Sequence, residues 1–77
     1  MEWVPFESSV LAAAAHIDRE RLLYLEFRSA AIYRYSHFPA EKYDELLAAG
    51  SKGQYFSVHI RDRYPYEQVR PGYRTAN

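Results

Sequence analysis

Apolar and polar side chains alternate along the first half of the chain, most clearly over residues 32–38. One face of that segment carries aromatic rings and the other is mixed: Tyr33, Tyr35 and His37 against Ile32, Arg34, Ser36 and Phe38. Alternation with a period of two is typical of a β-strand that is buried on one face. Pro39 has no N–H to donate to a sheet, so we predict that the strand ends before it.

Two earlier segments are predicted to pair with this strand. Residues 21–27 also alternate, and one of their faces is apolar: Leu23, Leu25 and Phe27. Residues 10–17 contain four alanines, so helix propensity alone would favour a helix there. We predict a strand instead, because a turn at residues 18–20 separates this segment from an alternating one, as in a hairpin.

Helical spacing replaces the alternation in the second half. A first helix is predicted from Pro39 or Ala40 to about Ala49, because three apolar residues share one of its faces: Tyr43, Leu46 and Leu47. A second helix is predicted over residues 52–63, with an inward stripe at every fourth residue: Phe56, Ile60 and Tyr64. Ser51 and the glutamine three residues later have the spacing of a capping box at its start.

These elements predict an α+β fold, a three-stranded antiparallel meander covered by two C-terminal helices in the order β-β-β-α-α. Residues 1–66 are predicted to form a single domain, and residues 67–77 a flexible tail. The predicted core joins five residues of the sheet to five of the helices: Leu23, Leu25, Phe27, Tyr33 and Tyr35 against Tyr43, Leu46, Leu47, Phe56 and Ile60.

Composition narrows the class of protein further. The chain has 77 residues and no cysteine, so we expect one small domain without disulfides or thiolate metal sites. It has no long apolar run and no leader-like N-terminus, so we expect a cytoplasmic protein that makes no use of a membrane. Eight tyrosines are present, and tyrosine suits both a small core and a recognition surface.

Basic residues near the end of the chain suggest RNA as a partner. The net charge is zero, but residues 1–27 carry −3 and residues 28–77 carry +3. Arginines can contact phosphate while tyrosines stack on unpaired bases, so we predict weak, salt-sensitive RNA binding through six residues: Arg34, Lys52, Arg61, Arg63, Tyr64 and Tyr66. Asp62 lies among them and opposes phosphate, and an ordinary solvated face is the alternative interpretation.

The outer face of the predicted sheet offers a second kind of partner. This face carries four residues, Leu22, Tyr24, Ile32 and Arg34, and as a whole it is more apolar than we expect of a surface that contacts only water. A protein–protein interaction or self-association through this face is therefore the alternative to RNA binding.

No set of residues has the spacing of a catalytic or metal site. The histidines lie far apart in the chain, at His16, His37 and His59, and no nucleophile motif surrounds Ser8 or Ser9. We therefore expect a non-enzymatic protein without a metal or another cofactor.

The residues described above, with a few others, resemble the KTSC family, a small domain named for the C-terminus of some lysyl-tRNA synthetases and also found as a stand-alone bacterial protein. The resemblance covers roughly residues 4–66, and these positions carry it: Ser8-Ser9, Leu23, Leu25, Phe27, Tyr33-Arg34-Tyr35, Phe38-Pro39, Tyr43, Ser51-Lys52-Gly53, Tyr55-Phe56, Ile60-Arg61 and Tyr64-Pro65. The family usually has glycine in place of Ala30, often asparagine in place of Ser57, and often Gly-Tyr-Asp within residues 15–18. The resemblance implies a domain for which RNA binding has been suggested.

Overall fold

Five antiparallel strands form one sheet in which the spatial order of the strands is their order in the chain. The computed structural model describes residues 1–72. A 3₁₀ turn at Asp18–Glu20 joins the second strand to the third, and the regular elements are β1 (Val4–Pro5), β2 (Leu11–Ile17), β3 (Leu22–Phe27), β4 (Ile32–Tyr35), α1 (Ala40–Ala48), α2 (Lys52–Tyr55) with a π-helical turn (Phe56–Ile60), and β5 (Tyr66–Arg70).

The α+β class and the three central strands are confirmed, including the strand over the alanine-rich segment. The number of strands is wrong, because the sheet has five rather than three. At one edge β1 pairs with β2, with Val4 opposite Ala14. At the other edge β5 pairs with β4, with Tyr66 opposite Tyr35 and Glu67 opposite Arg34.

The predicted flexible tail is therefore wrong for residues 67–70, which belong to β5. All five side chains of β5 are exposed, so the strand has no buried face from which a period could be recognised. Side chains reinforce its pairing instead. Arg70 donates to Glu26 Oε2 at 3.0 Å and, from Nε and Nη2, to Ala30 O at 2.9 and 2.7 Å. Residues 73–77 of the predicted tail lie outside the described part of the chain.

The central strand ends three residues earlier than predicted, at Tyr35. His37 has a φ of 60°, a left-handed conformation that stops the alternation of the strand. Phe38 consequently turns into the core, where it is fully buried, although the alternation placed it on the outer face. His16 Nε2 donates to Phe38 O at 2.9 Å and fixes this bend to β2.

The first helix agrees with the prediction, but the second is shorter. It ends at Ile60 rather than at residue 63, and it closes with a π-type hydrogen bond from Arg61 N to Phe56 O at 2.8 Å. Asp62 then has a φ of 60°. This left-handed residue reverses the chain, so the following segment can return to the sheet as β5.

Both helical segments pack on one face of the sheet and bury the predicted core. Leu23, Leu25, Leu46 and Ile60 are fully buried. All ten predicted core residues either belong to this buried cluster or pack against it. Ala14, also fully buried, adds only a methyl group to the inner face of β2.

Lys52 connects the two helices. Its Nζ donates to Leu47 O at 3.0 Å and to Ala49 O, two carbonyls at the end of α1. It also lies 5.4 Å from the ring centroid of Phe6. A cation at this position satisfies carbonyls that lack a partner within the helix and interacts favourably with the negative end of the helix dipole.

We expect Lys52→Met to lower the free energy of unfolding by about 1–2 kcal/mol, because it keeps the aliphatic stem and leaves the carbonyls without their charged donor. Lys42→Met is the matched control, since Lys42 makes only a 3.4 Å contact with Glu45 on the surface. We expect it to cost at most about 0.5 kcal/mol. Urea unfolding followed by circular dichroism measures both, and equal stabilities of the two variants would contradict this role of Lys52.

The turn between β3 and β4 contains a strained alanine. Ala30 N donates to Phe27 O at 2.8 Å, and Phe27 N donates to Ala31 O at 2.9 Å. These bonds enclose a three-residue hairpin loop whose last residue, Ala30, has a φ of 73°. Glycine is the usual residue at that position of such a loop, because it adopts a left-handed conformation without steric cost.

Ala30→Gly is therefore expected to stabilise the domain. The left-handed conformation costs an L-residue roughly 1–2 kcal/mol, and the greater freedom of glycine in the unfolded chain offsets about half of that. We expect a net gain of about 0.5–1 kcal/mol in urea unfolding. Ala31→Gly is the control, because Ala31 has an ordinary φ and is buried, and it should lose stability. A loss of stability in Ala30→Gly would overturn this account of the turn.

Candidate binding cleft

A cleft of about 370 Å³ opens between the inner face of the sheet and the segment that leads from the π-helical turn to β5. Its aromatic walls come from β3, β4, β5 and the π-helical turn. Polar groups come from the β3–β4 turn and from the chain reversal after the helix. The lining residues are Phe27, Ser29, Ala31, Tyr33, Tyr35, Phe56, Arg61, Asp62 and Tyr66.

Tyr66 is the exposed ring of the cleft. It is 57% exposed, whereas Tyr35 and Phe56 are 4% and 7% exposed. The centroid of the Tyr66 ring lies 5.7 Å from those of Tyr33 and Tyr35. Edge-to-face contacts continue the aromatic wall inward, from Tyr35 to Phe56 at 6.2 Å and from Phe56 to Phe27 at 5.3 Å. The buried rings fix the wall, and Tyr66 presents an aromatic surface to solvent.

Two opposite charges lie at the rim. The guanidinium carbon of Arg61 is 5.8 Å from the ring centroid of Phe56, a cation–π distance. Burial raises the pKa of Tyr35 well above its usual range, and the neighbouring Tyr33 and Tyr66 raise it further. Arg61 lowers that pKa and Asp62 raises it, so both charges act on the Tyr35 hydroxyl. This hydroxyl keeps its proton at neutral pH and can donate a hydrogen bond.

The structure brings two of the six predicted RNA-binding residues, Arg61 and Tyr66, together in the cleft. Tyr64 instead packs edge-to-face against Phe38, with ring centroids 4.9 Å apart. Arg63 is exposed but does not line the cleft.

The other two predicted residues have their charges engaged elsewhere. Arg34 extends from the outer face of β4, opposite the cleft, and pairs with Glu67 of β5. A hydrogen bond to Tyr24, followed by the charge of Glu67, raises the pKa of Arg34. The Lys52 ammonium donates to carbonyls at the end of α1, so it is not free to contact a phosphate.

Sequence reasoning missed most of the cleft. It assigned Tyr33 and Tyr35 to the core, which is correct for the buried Tyr35. Because β5 was not predicted, the wall that these two rings form with Tyr66 was not predicted either. It also continued the second helix through Asp62, so the reversal that brings Asp62 to the rim was not foreseen. The one available signal was the short Tyr66–Arg70 segment after Pro65, which alternates only weakly.

The outer face of the sheet is not covered by the described helices. The four residues proposed for a partner surface lie on it and are all half-buried: Leu22, Tyr24, Ile32 and Arg34. Tyr24 is the cross-strand neighbour of Arg34 and meets the ring of Trp3 edge-on at 6.4 Å. The structure thus places the predicted set on one surface.

The histidines lie apart and make local contacts. His16 stacks on Tyr43 at 4.9 Å, and His59 contacts Tyr55 at 4.5 Å, measured between ring centroids. Within residues 1–72, no three histidine, aspartate or glutamate side chains lie close enough to hold a metal ion. In the same range, no helix has the length and apolar character needed to cross a bilayer.

Comparisons with known proteins agree on one family. Residues 7–64 match the KTSC domain. A protein of Tsukamurella paurometabola is 38% identical over 60 residues, which cover 78% of this chain and 90% of the relative. A lysine–tRNA ligase of a Nostoc species is 40% identical over 63 residues, which cover 82% of this chain but only 11% of the ligase.

The fold agrees as well. The crystal structure of a KTSC domain protein from Yersinia pestis superposes with a TM-score of 0.86, covering 88% of this chain and 96% of that one. The two sequences are 24% identical, so this match shows a shared fold. Together with the match over residues 7–64, it establishes that the chain belongs to the KTSC domain family.

Proposed function

We propose that this domain is a non-enzymatic module that binds single-stranded RNA in the aromatic cleft. An unpaired base stacks on Tyr66, and Arg61 contacts the adjoining phosphate. The observation that carries the proposal is an exposed tyrosine ring beside an arginine at the mouth of a cleft whose inner wall is buried and aromatic. Aromatic stacking and arginine contacts are the usual means of binding unpaired bases.

The size of the cleft favours a small portion of the strand. A volume of about 370 Å³ is at the low end of the ~300–1,000 Å³ typical of ligand sites. It suits one base with its sugar rather than a run of stacked bases. Tyr66 alone among the five rings is more than one-third exposed, which also favours a single stacked base.

The family context supports RNA as the partner. A lysine–tRNA ligase contains a region similar to this chain, and its name indicates that it acts on tRNA.

Electrostatics favour a weak interaction. The chain has no net charge, and Asp62 shares the rim with Arg61. We therefore expect the cleft to contact only about one or two phosphates of the RNA. The affinity for RNA should then fall roughly two- to threefold per phosphate contact between 50 and 200 mM salt.

The test is an amide NMR titration of the 77-residue chain with a short, mixed-sequence single-stranded RNA at low and moderate salt. We expect shifts to cluster on residues 27–35 and 56–66 and to weaken as salt rises. Tyr66→Leu removes the aromatic face and should weaken binding about fivefold or more, since stacking contributes ~1–3 kcal/mol per base. Arg61→Gln should weaken binding and reduce its salt dependence.

Arg63→Gln is the matched control, because it removes an exposed arginine two residues from Arg61 that lies outside the cleft. It should bind RNA nearly as well as the unaltered chain. A flat response at low salt would contradict the proposal and would favour a protein partner or a second copy on the outer face. Equal losses in Arg61→Gln and Arg63→Gln would remove the cleft as the site.

A further inference from the structure

Asp62 is a residue of the cleft that phosphate binding does not need. Its carboxylate is on the rim beside Arg61, where a negative charge repels an RNA backbone. The three ion pairs formed within residues 1–72 join Arg34 to Glu67, Lys42 to Glu45 and Arg70 to Glu26, so none neutralises it.

The backbone fixes the position of Asp62. Ile60, two residues earlier, is fully buried, and Arg63 N donates to Ile60 O at 3.0 Å across the reversal. Asp62 itself is held in the left-handed conformation, at a φ of 60°. Aspartate and asparagine adopt this conformation more readily than other non-glycine residues, so an exchange between them preserves the turn.

A carboxylate only accepts hydrogen bonds, so it distinguishes bases by the N–H groups that they offer. Guanine presents two adjacent donors on its Watson–Crick edge, the ring N1–H and the exocyclic amino group, and both oxygens of one carboxylate can accept them. Adenine and cytosine offer a single amino group beside an acceptor nitrogen. Uracil offers one N–H between two carbonyl groups, and the oxygens of those carbonyls repel a carboxylate.

We infer that the cleft selects guanine: the base stacks on Tyr66, and the Asp62 carboxylate accepts hydrogen bonds from its N1–H and amino groups. This inference rests on the proposed function. In it, the charges of Arg61 and Asp62 contact different parts of one nucleotide. Arg61 contacts the phosphate, and Asp62 contacts the base. Bidentate, charge-assisted hydrogen bonds of this kind are strong and specific.

The test compares pentanucleotides that differ only at the central base, UUGUU, UUAUU, UUCUU and UUUUU, by amide NMR titration of the full chain. We expect UUGUU to bind about tenfold or more tightly than UUUUU, because a bidentate contact to a base edge discriminates strongly against bases that cannot form it. UUIUU, in which inosine lacks the amino group of guanosine but keeps N1–H, should fall between them. Asp62→Asn, which keeps the shape and the left-handed turn, should lose the preference and bind UUGUU and UUUUU with similar affinity.

The outcomes separate this inference from the proposed function. Equal affinity for the four pentanucleotides, with Tyr66→Leu weakening all of them, would overturn guanine selection and leave RNA binding intact. A guanine preference that survives Asp62→Asn would overturn the role of Asp62. Binding to none of the pentanucleotides would overturn both proposals.

Discussion

The pairing of β5 with β4 places Tyr66 beside Tyr35 and thereby creates the cleft. The strand buries no side chain, so hydrophobic burial contributes little to holding it. Backbone hydrogen bonds and the side chain of Arg70, which reaches Glu26 and the carbonyl of Ala30, hold it instead. Exposed ion pairs contribute only about 0–1 kcal/mol each, so we expect β5 to be the part of the sheet that opens most easily.

The core depends on a different set of contacts. Leu23 and Leu25 of β3 pack against Leu46 of α1 and Ile60 of the π-helical turn, with Phe38 buried among them. We expect this cluster to survive a local opening of β5, because β5 contributes no residue to it and contacts it through the exposed ring of Tyr66, which lies against Tyr35. The domain therefore combines a fixed hydrophobic core with an aromatic cleft wall that depends on an edge strand. Because the core does not depend on β5, Tyr66 can stay exposed without weakening the fold.

The core residues can be predicted from the sequence, because burial gives them a regular period. Elements that depend on backbone conformation alone cannot be predicted in this way. The alternation of Leu23, Leu25 and Phe27 and the helical spacing around Leu46 identify the core, since their periods reflect a buried face. The same reasoning cannot find β5, whose side chains are all exposed. Nor can it find the left-handed residue Asp62, which is not glycine and stands in a segment with helical spacing. The core was therefore predictable, but the cleft was not, because β5 and the reversal at Asp62 build it.

Amide hydrogen exchange in β5, with and without saturating single-stranded RNA, tests most directly whether this strand builds the binding site. A ligand that binds only the paired form of the strand stabilises that form, and exchange through opening slows by a factor of about 1 + [L]/Kd. We expect such slowing at the amides of β5 and little change at those of β2, which contributes no residue to the cleft. Unchanged exchange in β5 while RNA is bound would contradict it, because the RNA would then bind without the wall that β5 supplies.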